Sequence, residues 1–126
     1  MLNIIHSSIK KVPFLILDKK KGLIELRGSS IMEDPHAFYD PVMAWIYDYV
    51  KNPKDTLVNI DLEYFNTSSA KILLILFKAL SKINKSGFNL EVNWHYDKDD
   101  DDIRDTGHNF AVMSNVKFNF LEKNQI

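Results

Sequence analysis

The sequence predicts an α/β domain of two layers, a mixed β-sheet with helices on one face, and three observations predict it. Stretches of period-two apolar alternation take turns with stretches of helical spacing. The first two alternating stretches are joined by a short polar turn ending in glycine, so the sheet opens on an antiparallel hairpin. The strands after the hairpin carry polar residues on one face, whereas a sheet covered on both sides needs strands that are apolar throughout. The predicted order is β-β-α-β-α-β-α-β, with Asn3 to His6 as a further short strand.

Val12 to Leu17 and Leu23 to Leu26 form the hairpin around Asp18-Lys19-Lys20-Lys21-Gly22. Phe38, Val42, Trp45, Ile46 and Tyr49 then follow helical spacing, and Asp40-Pro41 supplies a cap and a first-turn proline. A helix from about Pro41 to Val50 is expected, with Asp34-Pro35 as an alternative start. From Leu57, the residues Val58, Ile60, Leu62 and Tyr64 fall on one face of a strand and Asn59, Asp61 and Glu63 on the other. Asn66-Thr67-Ser68-Ser69 breaks that strand with cap-forming residues. Ile72, Leu73, Leu76, Phe77, Leu80 and Ile83 continue as a helix up to Gly87. Phe88 to His95 alternates again, Asp97 to Asp102 leads into a helix through Ile103, Gly107, Phe110 and Ala111, and Val116, Phe118 and Phe120 close the sheet before a polar tail from about residue 121.

The 126 residues make one domain. With 45% hydrophobic and 26% charged residues the chain is globular in composition. Sixteen basic against 17 acidic residues leave a net charge of −1, which does not supply the phosphate neutralisation that nucleic-acid or anionic-membrane binding needs. The absence of cysteine removes disulfides, thiolate nucleophiles and Cys-ligated metals. No stretch reads as a secretion signal or membrane span, so a cytoplasmic protein without membrane insertion is expected.

The chemistry concentrates at Tyr64-Phe65-Asn66-Thr67-Ser68-Ser69-Ala70-Lys71, a strand-to-helix turn rich in hydroxyls. One reading is that Asn66, Thr67 or Ser68 simply caps the helix. The other is a phosphoacceptor. A phosphate there adds about −1.5 to −2 charges and is stabilised by the free N–H groups and dipole of the helix end. Asp61 and Glu63 would add like charge if they lie close. The run Asp99 to Asp102, with Asp97 before it, matches the first ligands of a calcium loop, but Asp102 stands where glycine is required and His108 where the bidentate glutamate belongs. An acidic first helical turn is the reading kept. His6, His36, His95 and His108 form no pair at metal-ligand spacing, and no P-loop, dinucleotide fingerprint or nucleophile elbow occurs. No metal or cofactor is expected.

Three segments in order, Gly28-Ser29-Ser30-Ile31-Met32-Glu33-Asp34 with Phe38-Tyr39-Asp40-Pro41, then Tyr64 to Lys71, then Asn93-Trp94-His95-Tyr96 with the acids and Gly107, resemble the SiaC-type regulatory phosphoprotein family over almost the whole chain. Met32-Glu33-Asp34 departs from the family's usual P-E-N. The resemblance implies a protein without catalytic activity, phosphorylated on Thr67 by a cognate serine/threonine kinase and dephosphorylated by a PP2C-like phosphatase. Its unphosphorylated form would bind and activate an effector such as a diguanylate cyclase, by the logic of anti-sigma-factor antagonists, whose STAS-like fold the predicted element order resembles. Tyr64, Asn66, Ser68, Ser69 and Lys71 are the expected partner-binding residues or neighbours of the phosphosite. The rival readings are a small-ligand or anion-binding module at the same helix start, and an enzyme using His95 with Asp97 and Asp99 to Asp102.

Overall fold

A computed structural model describes residues 3–6 and 10–123. The elements are β1 (Ile4–His6), β2 (Phe14–Asp18), β3 (Leu23–Ser30), α1 (His36–Tyr49), β4 (Thr56–Phe65), α2 (Thr67–Lys85), β5 (Leu90–Asp97), α3 (Asp101–Ser114) and β6 (Phe118–Lys123). The six strands lie side by side in sequence order. β1, β2 and β3 pair antiparallel, and β3 to β6 pair parallel. Parallel crossovers share one hand, so three that step the same way leave their helices on the same face of the sheet. The predicted two-layer mixed α/β architecture is the one observed, and the short additional strand is present.

Burial follows the period-two pattern. Leu15, Leu17, Ile24, Leu26, Val58, Ile60, Leu62, Val92 and Trp94 are buried toward the helices. The opposite face is polar, and the in-register residues Asn59, Asn93 and Asn119 form a side-chain ladder across β4, β5 and β6 at 3.0 and 3.1 Å. Trp94 is the centre of the helix-side core: its ring meets Phe65, Phe77, Phe110 and Phe118, and its Nε1 donates to the Ile103 carbonyl at 3.0 Å. α3 seats on this indole at Gly107, where a Cβ would stand 2.6 Å from Trp94 Cε2.

Four expectations change. α1 begins at His36 with Pro35 as its N-cap, the alternative start rather than the one at Pro41, so Pro41 lies inside the helix rather than in its first turn. The missing N–H would have bonded to Ala37, and because Pro41 and Ala37 are both exposed, water can serve the freed carbonyl. β3 continues past Leu26 to Ser30, its last residues pairing with β4. Gly28 faces Leu62 but Ser29 faces Tyr64, so Glu63 is an extra residue in β4. This bulge turns Tyr64 out to 58% exposure instead of onto the apolar face, and brings Phe65 into the core in its place. β6 runs to Lys123, so the polar tail begins later than expected and its remainder lies outside the described residues.

Candidate functional site

The candidate site is the β4-to-α2 turn. Asn66 has extended backbone and caps α2: its Oδ1 accepts the Ser69 amide at 2.9 Å, and its carbonyl accepts the Ala70 amide at 2.9 Å. The Ala70 bond is the first of the helix itself; of the four orphan donors before it, Oδ1 satisfies the Ser69 amide and the Ser30 carbonyl accepts the Asn66 amide. The Thr67 and Ser68 amides have no acceptor among the described residues.

The three hydroxyls of the turn separate by environment. Ser69 is fully buried, and its Oγ accepts from Ser30 Oγ at 2.8 Å. It is a neighbour of the turn but offers no hydroxyl at the surface. Thr67 and Ser68 are exposed, and neither side chain makes a hydrogen bond within the described residues. The capping that the sequence left open among Asn66, Thr67 and Ser68 therefore falls to Asn66. Thr67 stands at the first helical position with an uncommitted Oγ beside two free amides.

The turn is tied to the loop after β3. The Asn66 amide donates to the Ser30 carbonyl at 3.1 Å, and Asn66 Nδ2 donates to the Met32 carbonyl at 3.1 Å. A shallow groove of about 520 Å³ lies between this loop, at Glu33 to His36, and the α2 stripe of Ser68, Lys71, Ile72 and Ile75. Ile75 is 48% exposed, so the groove is apolar toward α2 and acidic at the loop, with Lys71 the basic residue lining it. Asp34 Oδ1 accepts the His36 amide at 3.1 Å, a bond that an asparagine would make equally well. Met32 contributes its main-chain carbonyl, which any residue supplies. These two bonds fix the loop, and Glu33 and Asp34 place their carboxylates at the groove.

The remaining candidates do not converge here. Asp61 is held by Lys123 at 2.6 Å on the polar sheet face, where Arg27 also lies over the Phe14 ring at 4.4 Å. Asp100 caps α3 through the Ile103 amide at 3.0 Å, and Asp101 pairs with Arg104, so these acids build a helix start. His36 contacts Asp40 at 3.2 Å, and His108 stacks on Phe120. The described residues contain no cluster of three or more potential metal-ligating side chains, and none of their helices is long and apolar enough to cross a membrane.

Two residues to which the sequence assigned no role of their own complete the site from below. Ser30 is fully buried, with its Oγ 2.6 Å from the Tyr39 Oη, and Tyr39 is also fully buried at the start of α1. The alternation Ile24, Leu26, Gly28, Ser30 could have placed Ser30 inward had β3 been carried that far.

The family model of the SiaC family regulatory phosphoprotein matches residues 6–123. The chain belongs to the SiaC family. A curated relative, an uncharacterized protein of Pseudomonas aeruginosa, is 22% identical over 110 residues, covering 86% of this chain and 87% of that protein. The fold matches apo-SiaC from Pseudomonas aeruginosa with a TM-score of 0.83 at 20% identity, over 98% of this chain and 100% of that one. It also matches SiaC from a crystal structure of the diguanylate cyclase SiaD in complex with its activator SiaC, from the same organism. There the TM-score is 0.86 at 20% identity, over 98% of this chain and all of the other. This SiaC-family chain therefore combines a regulatory-phosphoprotein fold with an exposed, uncommitted threonine at a helix start.

Proposed function

We propose that this chain is a non-catalytic, cytoplasmic partner-switching protein, reversibly phosphorylated on Thr67, whose unphosphorylated form binds and activates an effector. A diguanylate cyclase is the effector class favoured, because a SiaC relative of the same fold is described as the activator of one. A serine/threonine kinase adds the phosphate and a PP2C-like phosphatase removes it. The observation that carries the reading is the division of labour at the turn: Asn66 does the capping and Thr67 Oγ is left exposed and unbonded.

The same geometry explains how a phosphate would be held. The free Thr67 and Ser68 amides and the positive end of the α2 dipole favour a dianion at this position. Phosphorylation then adds charge next to the groove without unfolding the helix that carries it. Tyr64, Ser68 and Lys71 are exposed around the turn and make up the proposed partner surface with Asn66, while Ser69 supports it from within.

Phosphopeptide mapping of the protein isolated from its native cells, with and without PP2C-type phosphatase, tests the reading. A phosphatase-labile phosphate on Thr67 is expected. An unmodified Thr67 under every growth condition overturns it, and an anion retained on the unphosphorylated protein would then favour direct anion binding by the two free amides.

A further inference from the structure

Tyr39, Ser30 and Ser69 come from α1, β3 and α2, are each fully buried, and bring their hydroxyls within 2.6 and 2.8 Å of one another. Ser30 has one hydroxyl proton and gives it to Ser69, so in its contact with Tyr39 the phenol is the donor. The chain is directional, from Tyr39 through Ser30 to Ser69. At one end, Ser69 is the residue whose amide Asn66 caps, two positions from Thr67. At the other, Tyr39 lies one turn after His36 and the loop that walls the groove, and its amide bonds to the Pro35 carbonyl. The Ser30 carbonyl, holding the Asn66 amide, ties the same point a second time.

We propose that Tyr39, Ser30 and Ser69 form a positioning latch that makes the first turn of α2 and the start of α1 respond as one body to a charge placed on Thr67. Buried hydroxyls without partners are costly, so the α2 turn cannot shift away from Ser30 without either stranding these groups or carrying the β3 end and α1 with it. An apolar trio of similar volume would fill the space without this directional link. The latch thereby joins the two walls of the groove, the Glu33 to His36 loop and the Ser68 to Ile75 stripe of α2. Its regulatory meaning rests on the Thr67 reading, but its mechanics do not.

Hydrogen–deuterium exchange of the full chain, comparing the native protein, Thr67→Glu, Tyr39→Phe and the double variant, tests the latch without kinase or partner. In the native background Thr67→Glu is expected to change exchange at the amides of residues 66–70 and also at 36–39, by roughly threefold or more. With Tyr39→Phe, the first response persists and the second falls to less than about twofold, a non-additivity that mere destabilisation does not produce. Ser69→Ala breaks the chain from the other end, is expected to give the same loss, and decides the matter if Tyr39→Phe fails to fold. An equal response at 36–39 in both backgrounds, or none in the native one, overturns the latch. Failure of the Thr67 reading is seen separately, in the phosphopeptide map.

Discussion

Asn66 Oδ1 accepts the Ser69 amide at 2.9 Å, and this one bond decides which hydroxyl of the turn is available. Were Thr67 or Ser68 the cap, its oxygen would be occupied. Because Asn66 also donates to the Met32 carbonyl, its replacement removes two interactions. Asn66→Ala is expected to cost about 1–2 kcal/mol. Asn66→Asp keeps the cap but lacks the Nδ2 donor, and should recover about half of the loss. Urea denaturation of the three proteins measures this; equal stability of the alanine variant would remove Asn66 from its capping role.

Thr67 bears on partner affinity rather than on stability. Its exposed side chain makes no bond, so Thr67→Ala should unfold within about 0.5 kcal/mol of the native protein. Under the proposed function it stays bound to the effector. A phosphate in an interface built for a neutral hydroxyl should cost about 2–5 kcal/mol, and Thr67→Glu, with less charge, part of that. Titration calorimetry against the cognate cyclase is the check, and equal affinities of the Ala and Glu variants would contradict the switch.

Gly107 gives a prediction about the core. The position an added Cβ would take is against the indole of Trp94, which is itself packed among four phenylalanines and bonded to Ile103. No flexible chain end is there to give way. Gly107→Ala should therefore destabilise by about 1–3 kcal/mol, even though alanine is the better helix former by about 1 kcal/mol. A urea midpoint higher than the native protein's would show that α3 can move off Trp94.

What was legible in the sequence was what periodicity encodes. Val58, Ile60 and Leu62 against Asn59 and Asp61 specified β4 and its buried face, and Ile72 to Ile83 specified α2. Tyr64 was misplaced because one extra residue, Glu63, reverses the alternation after it, and a bulge is set by the register of β3 against β4, a relationship between distant segments. Gly28-Ser29-Ser30 resembles a turn locally and becomes strand only because Leu62, Tyr64 and Phe65 pair with it. Pro41 resembled a helix start, but the tertiary contacts of Tyr39 extend α1 backward past it. At the site, the hydroxyl-rich turn was legible from residue type and position; the choice of Thr67 came from the family resemblance, and the capping role of Asn66 from the structure alone. The buried support was not legible: the alternation of β3 reaches Ser30 only if the strand is carried past Leu26, and its meeting with Tyr39 and Ser69 exists only once three elements pack together.

Tyr39 links the interior of the site to pH. Burial pushes its phenol from 10.0 up to about 12. The raised value means that the folded state keeps a proton which the unfolded state releases above pH 10, so the stability it confers is fully present below about pH 10 and lost as pH rises toward 12. At about 1.36 kcal/mol per unit the full loss is about 3 kcal/mol. Tyr39→Phe has no proton to lose, so between pH 9 and about pH 11.5 its urea midpoint should fall less than that of the native protein. The two proteins share every other side chain, so the difference between their curves belongs to this phenol. Parallel midpoint curves for the two would mean that the phenol ionises in the folded state at its ordinary pH, and that the path from Tyr39 to Ser69 is open to water.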